Sequence, residues 1–462
     1  MAWFSERWFD VLVRFTALVV ALALLWIASI AGLQVYRGYN EGWNAYHALA
    51  AVTGGALYPR PPSLMVNNYP PLSFFIVGGV GRFVGDMIVA GRIVSLVSTL
   101  VAGWAVFAIA RRMGAGAVIA LFAALLFLAK LLAASTYIGI NDPQMLGHAF
   151  GCLGFLAVLG EPRNTHRIAL GALLLTLAVF VKHMLIIQPL VLLIWLLVFD
   201  RTSAIKFAAF GLLFAALGYL ICRIALGVDL FAILFSPRSY RIEWVSQSLA
   251  DFLLVSFAPL GAGIYLLKSK ERYALLCGLY TVLAFAIGLA FDGGAGVGRN
   301  ALFDAAIGGA LSAAILVRRL PPRWALVFAA ACLVPAGVAG AQRFEKNVHN
   351  PIGMEAAATQ FDISYLREQP GPALCEKLSL CYWAGKRAEV DVFNFVEAVD
   401  AGTRDESELI HLLDRRYFST VELDAESRLY HLPAVRAALK RNYMVGHVDE
   451  YGLMLTRAAP AL

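Results

Sequence analysis

Charge is what this sequence has least of. Lys, Arg, Asp and Glu together make up 15% of its 462 residues, against about 25% in a soluble domain. That scarcity excludes an ordinary soluble enzyme. The alternation of apolar and polar residues that a transmembrane barrel requires is missing too, because the apolar runs are continuous. No His, Cys and Asp group has the spacing of a metal centre. No cofactor is therefore expected to be required, and a divalent metal stays open. Basic residues are not interleaved with aromatics as they are in nucleic-acid binders. Nucleic acid is excluded as a partner, although the net charge is +7. Cysteine is sparse, with six in the chain. Cys152, Cys222, Cys277 and Cys332 lie in apolar segments and read as inert core residues. Cys375 and Cys381 lie in polar sequence and can pair in an oxidising compartment or stay reduced. No small-residue cleavage site follows the first apolar run, so that run reads as a retained span. Internal repeats and low-complexity tracts are absent.

What is present in quantity is apolar sequence, 60% of the chain. Runs of about 20 apolar residues, each long enough to cross a bilayer, recur along it. The fold class is an α-helical polytopic membrane protein of about 11 transmembrane helices. The expected spans are Thr16 to Val35, Ile88 to Ala110, Ala117 to Ala134, Met145 to Gly160, Ile168 to Val181 and Met184 to Phe199. Five more follow: Phe207 to Leu226, Leu249 to Leu267, Tyr273 to Phe291, Ala305 to Val317 and Ala325 to Ala341. Alternate loops are short and basic. They carry Arg111 and Arg112; Arg163 and Arg167; Arg201 and Lys206; Lys268, Lys270 and Arg272; and Arg318, Arg319 and Arg323. By the positive-inside rule these loops and the N-terminus face the cytoplasm, and the C-terminal region faces outward.

After Gln342 charges become dense and apolar runs shorten. Residues 1–341 form the expected membrane domain and 342–462 a small C-terminal α/β soluble domain. Helices are expected over Glu406 to Arg416 and Leu432 to Asn442. Strands are expected over Glu389 to Phe395, Tyr417 to Leu423 and Tyr451 to Arg457.

The chain is organised around the outer loop from Tyr36 to Leu72. It begins YRGYNEGWNAYHALA and ends NNYPPL. Gly42 to Val52 reads as an interfacial helix, with Trp43, Tyr46 and His47 suited to a headgroup boundary. Glu41 stands just past the first span, where a carboxylate costs free energy unless it sits in a watery cavity. The plain alternative is a solvated loop acid. Asp142, in NDPQ, reaches the same face, and there the plain alternative is helix punctuation. Each acid follows an asparagine, Asn40 and Asn141. Two carboxylates at one level can divide labour between a general base and an orienting group.

Lys182 and His183 interrupt an apolar hairpin; they either snorkel to headgroups or seat a lipid phosphate. Arg299 and Asn300, in a glycine-rich loop, are a second anion candidate. Arg238 and Arg241 are a third, or they bind headgroups. Lys130 reads as a snorkelling lysine and His148 as a satisfied core histidine.

Taken together, the acid after the first span, the NYPPL loop, the NDPQ acid and the closing soluble domain resemble the GT-C superfamily of membrane glycosyltransferases. The pattern is most similar to the branch of protein O-mannosyltransferases and lipid A aminoarabinose transferases. The resemblance implies a polyprenyl-phosphate-linked sugar donor and an inverting transfer to a glycan, lipid or protein hydroxyl. It places that transfer at the outer face of a bacterial plasma membrane. It makes Glu41 the base and Asp142 a sugar- or acceptor-binding group, with Tyr69 in the loop motif. Lys182, His183 and Arg299 would counter the departing phosphate. The sequence departs where several branches have two adjacent acids, since Asn40 stands before Glu41. The alternative class is a transporter or flippase of lipid-linked substrates. Against it, no matched interrupted helices are found.

Overall fold

The computed structural model describes residues 2–134, 137–160, 164–235, 237–349, 352–448 and 453–458. Arg163, in an expected basic loop, lies outside the described residues. So do Ser135, at an expected loop start, and Tyr451, at an expected strand start.

Every expected span is a helix. In chain order the helices of the membrane part are α1 (Ala2–Ser29), α2 (Tyr39–Thr53), α3 (Leu72–Val84), α4 (Met87–Arg112), α5 (Ala117–Ala134), α6 (Gln144–Val158) and α7 (Thr165–Val181). They continue with α8 (Ile187–Phe199), α9 (Arg201–Ala225), α10 (Leu230–Leu234), α11 (Ile242–Leu266), α12 (Arg272–Asp292), α13 (Phe303–Arg319) and α14 (Pro322–His349). Among the described residues, seven helices are long and apolar enough to cross a membrane. The expected spans at α5 to α8 are shorter, and α3 is a further short apolar helix inside the expected first outer loop.

The bundle needs an apolar solvent. Leu212, Ile221 and Ile224 on α9 all face outward, and water would not tolerate so broad an apolar surface. By contrast α13, rich in Ala and Gly, is the central helix. In the span Arg299–Arg319, 94% of the apolar window is buried in protein.

Two expectations about single residues change. Lys130 does not snorkel. It is buried, and its ammonium donates to the Val255 carbonyl at 3.0 Å and to Ser256 Oγ at 2.6 Å. Pro259 sits inside α11 and has no N–H to offer residue 255 four positions back. Lys130 supplies the donor that the proline removed. The helix α2 does not rest on headgroups either. Trp43 and His47 are buried: both pack on Phe74, and Trp43 shares one apolar cluster with Leu57, Met65 and, from the C-terminal domain, Leu378.

That domain contains α15 (Ile352–Glu368), α16 (Leu378–Trp383), α17 (Val392–Asp400), α18 (Ser407–Asp414) and α19 (Pro433–Asn442). Its strands are β1 (Ala373–Cys375), β2 (Thr420–Asp424), β3 (Tyr443–Val448) and β4 (Leu453–Ala458). They form one sheet in the order β1-β2-β4-β3, with β1 parallel to β2 and the other pairs antiparallel. The helix α14 runs through residue 341 without a break. The expected strand from Glu389 is a helix after Asp391. Only Val390 bridges, to Leu64. Asp391 caps α17 through the Asn394 N–H, and a satisfied N-cap outweighs a short alternating pattern.

The domain is fastened to the membrane part. Cys375 and Cys381 form a disulfide, and α16, which carries Cys381, lies on α2. A Cβ on Gly42 would stand 2.1 Å from the Ser379 nitrogen, so glycine is needed there. Trp383 Nε1 donates to Asp86 at 2.9 Å, and Asp86 in turn caps α4 through the Ile88 and Val89 N–H groups.

On β2, Glu422 is fully buried. Burial pushes its carboxyl from 4.5 up to about 8, against the pull of Lys377. An acid raised on folding keeps its proton at pH values where the unfolded chain has lost it. Its contribution to stability is complete below 4.5 and is lost as pH rises through about 8. Glu422→Gln is expected to remove much of that loss. The thermal midpoint of the variant in detergent should fall less between about pH 6 and pH 9 than that of the unaltered chain. Equal falls would assign the loss to other groups.

Candidate active site

The loop from Tyr36 to Leu72, the turn before α6 and the start of α17 meet at one end of the bundle. Glu41 lies in the first turn of α2, where the helix dipole favours an acid. It is fully buried, and both its oxygens are engaged by Arg92 of α4 at 2.7 Å. Arg92 also donates to the carbonyls of Ala31, Leu33 and Val35 at 3.2, 2.6 and 2.8 Å. All its N–H donors are therefore used. Gly91 beside it admits the Asn141 side chain, which a Cβ would meet at 1.8 Å. The Asn141 N–H donates to Glu41 at 3.1 Å and its amide to the Glu41 carbonyl at 3.0 Å. Glu41 thus ties α1, α2, α4 and the α5–α6 turn together. It does not face open space.

Asp142 is the carboxylate nearer the cavity. Its Oδ2 accepts from the Asn40 amide at 2.8 Å, and its Oδ1 accepts from the Gln144 N–H at 2.8 Å. Lys182 Nζ stands 3.4 Å from that same Oδ1. Lys182 is buried rather than snorkelling. Its ammonium lies over the rings of Tyr69 at 5.2 Å and Tyr137 at 5.8 Å. His183 touches Tyr69 edge to face. Burial, with Arg238 and Lys182 nearby, holds its imidazole down at about 4. It is neutral at pH 7 and offers hydrogen bonds rather than charge.

In front of Asn40 is a cavity of about 310 Å³. One side is aromatic: Tyr39, Trp43, Tyr69 and Tyr137. Arg238 and the Gly296 to Gly298 backbone close another side, and Phe393 and Asn394 of α17 close a third. Arg238 is fixed to the Ala295 carbonyl at 3.1 Å. Arg299 and Asn300 do not join it. Arg299 pairs with Asp251 on an exposed surface. Asn300 turns inward to Gln144 at 2.8 Å. Arg241 lies over Trp244.

The C-terminal wall is held from behind. Tyr39 donates its hydroxyl to Asp391, which also accepts from the Asn394 amide at 2.7 Å. Burial pushes the Asp391 carboxyl up to about 6, against these bonds. Asn68 donates to Asn394 Oδ1 at 2.8 Å.

A second polar group lies deeper. Gln144 meets His148 at 2.9 Å, and His148 stands 3.9 Å from Asp304 of α13. Tyr280 and Gln188 donate to Asp304 at 2.6 and 3.0 Å. His148 is a core histidine, as expected, but its surroundings are polar.

Known proteins can now be set beside this geometry. The crystal structure of ArnT from Cupriavidus metallidurans bound to undecaprenyl phosphate superposes with a TM-score of 0.65 at 14% identity, covering 97% of this chain and 98% of that one. The apo structure of the same protein gives 0.65 and 14%, covering 98% and 99%. The chain shares this fold. Its bundle and C-terminal domain are matched along nearly their whole length. Residues 66–226 also match a family model described as a 6-pyruvoyl-tetrahydropterin synthase related domain, membrane protein. That stretch holds Tyr69, Tyr137, Asp142 and Lys182 and is less than half of the chain. No curated protein sequence matches.

Sequence reasoning missed Arg92, Tyr39, Phe393, Asn394, Asp391 and Asp304. Arg92 carried a signal, a lone cation inside an apolar run, which requires a partner. Asp391 carried a capping signal but none for the cavity, because Tyr39 lies 352 positions earlier.

Proposed function

We propose that this chain is an inverting glycosyltransferase. It moves a sugar from a polyprenyl-phosphate-linked donor to an acceptor hydroxyl at the outer face of a bacterial plasma membrane. The observation that carries this reading is the cavity itself. Aromatic rings and amides line it, a single arginine stands at its edge, and a paired carboxylate lies directly behind Asn40. The fold is shared with a protein solved with undecaprenyl phosphate bound. By the positive-inside rule the basic loops support a cytoplasmic N-terminus and an outer C-terminal domain, and a disulfide suits that oxidising side.

In this reading Arg238 contacts the donor phosphate. Lys182 adds positive potential from behind the two tyrosines, where low dielectric strengthens it. The acceptor oxygen attacks the anomeric carbon, the bond from that carbon to the phosphate oxygen breaks, and the electron pair leaves with the phosphate. The acceptor proton passes to Asp142 once Asn40 turns aside. Catalytic hydrogen bonds tighten only when substrates are bound. Glu41 holds the loop that carries Asn40 and is a positioning residue. No protein metal site is invoked.

The test is transfer of radiolabelled sugar from a panel of polyprenyl-phosphate sugars to host membrane fractions by the purified chain. Transfer that needs Arg238 is expected. Release of free sugar-lipid across vesicles without any transfer would move the chain to the transporter class.

A further inference from the structure

We infer that the cavity selects a sugar ring that is neutral, and that the C-terminal domain supplies part of the surface that reads it. This rests on the transferase reading and deepens it. A volume of about 310 Å³ is at the small end of ligand pockets and suits one monosaccharide.

The lining has two kinds of surface that a sugar needs. Aromatic rings offer apolar faces to the ring C–H groups, and Phe393 is one of them, 5.3 Å from the Tyr39 ring and 4.9 Å beneath Arg428. Hydroxyls need partners that both donate and accept. Asn394 gives an N–H to Asp391, takes one from Asn68 and also bonds the Tyr39 hydroxyl, which leaves one lone pair for a ligand. Tyr39 gives its proton to Asp391 and keeps one lone pair for a hydroxyl donor. The donor at the cavity edge is Arg238. Because these partners are fixed before binding, little ordering remains when a ligand arrives.

Charge decides against an amine. Arg238 is the one charged residue among the described residues that line the cavity. The nearby carboxylates are already engaged: Glu41 by Arg92, Asp142 by Lys182, Asp391 by Tyr39 and Asn394, Glu397 by Arg428 and Ser239, and Asp292 by Ser248. A sugar ammonium entering here would lose water, find no free carboxylate and face a guanidinium. Burying a charge without a partner is strongly unfavourable, and like charges set against each other add to the penalty.

The experiment uses the full chain in detergent and measures affinity for undecaprenyl phosphate alone, for its glucose and mannose conjugates, and for a galactosamine conjugate with a free amine. A neutral conjugate is expected to bind roughly tenfold or more tighter than the bare lipid, a difference of about 1.4 kcal/mol. The amine conjugate should bind no tighter than the bare lipid. Asn394→Asp, which adds one carboxylate at the cavity edge, should raise the relative affinity of the amine conjugate by roughly tenfold. Phe393→Leu should lower the preference for neutral conjugates over the bare lipid, a ratio that does not depend on how much protein folds. An amine conjugate preferred by the unaltered chain, or no conjugate bound better than the bare lipid, would overturn the inference while leaving the transferase reading in place. Failure to bind the bare lipid phosphate would overturn both.

Discussion

Arg92→Met is expected to cost about 3–5 kcal/mol of stability. It should be the most damaging single change in the membrane part. The Arg92 guanidinium holds Glu41 through two bonds and three carbonyls at the end of α1 through three more. Methionine fills similar space but leaves Glu41 charged, buried and without a counter-ion. Glu41→Gln should also destabilise, because it strands the guanidinium instead. The double variant Glu41→Gln, Arg92→Met removes both charges and should cost less than the two single changes added together. Thermal unfolding of the four proteins in one detergent checks this. Strict additivity, or a Glu41→Gln protein of full stability that has lost only transfer, would show that the pair does not hold the loop. It would return Glu41 to the role of base.

The resemblance implied that Glu41 is the base, and the geometry shows why sequence led there. The residue type and its place after the first span were legible. Its partner was not, because α4 lies some fifty positions later. The spans were legible for a simple reason: apolar runs of that length have one stable setting, and loop charge orients them. The four shorter helices α5 to α8 were legible as apolar and as short, with ends off by up to three residues, since the sequence carries no ruler finer than that.

The wall from α17 could not be read at all. Asp391 looks like one residue of an alternating strand until Tyr39 is brought against it. Lys182 shows the middle case. The sequence said that a cation between two spans needs a partner, and the fold supplied Asp142 together with two aromatic faces. Lys130 shows the opposite, because the vacancy it fills was made by Pro259 on another helix. Local pattern therefore recovers which residues need company. Only the tertiary fold says which company they keep.

Asp142→Asn is expected to lower transfer by about 10²- to 10⁴-fold, the range for loss of a general base. Affinity for the bare lipid phosphate should change far less, since Arg238 rather than Asp142 stands at the cavity edge. Lys182→Met should also lower transfer, by leaving Asp142 without its cation and by removing positive potential behind the phosphate. The two residues form one buried pair, so the double variant should be little slower than the slower single variant. Separate measurement of kcat and KM for the donor distinguishes this from simple unfolding, which would reduce active protein without changing KM. Asp142→Asn with transfer within about tenfold of the unaltered chain would remove Asp142 as the base. Tyr39, a cavity-lining residue with Asp391 behind it to take a proton, would then be the next group to test.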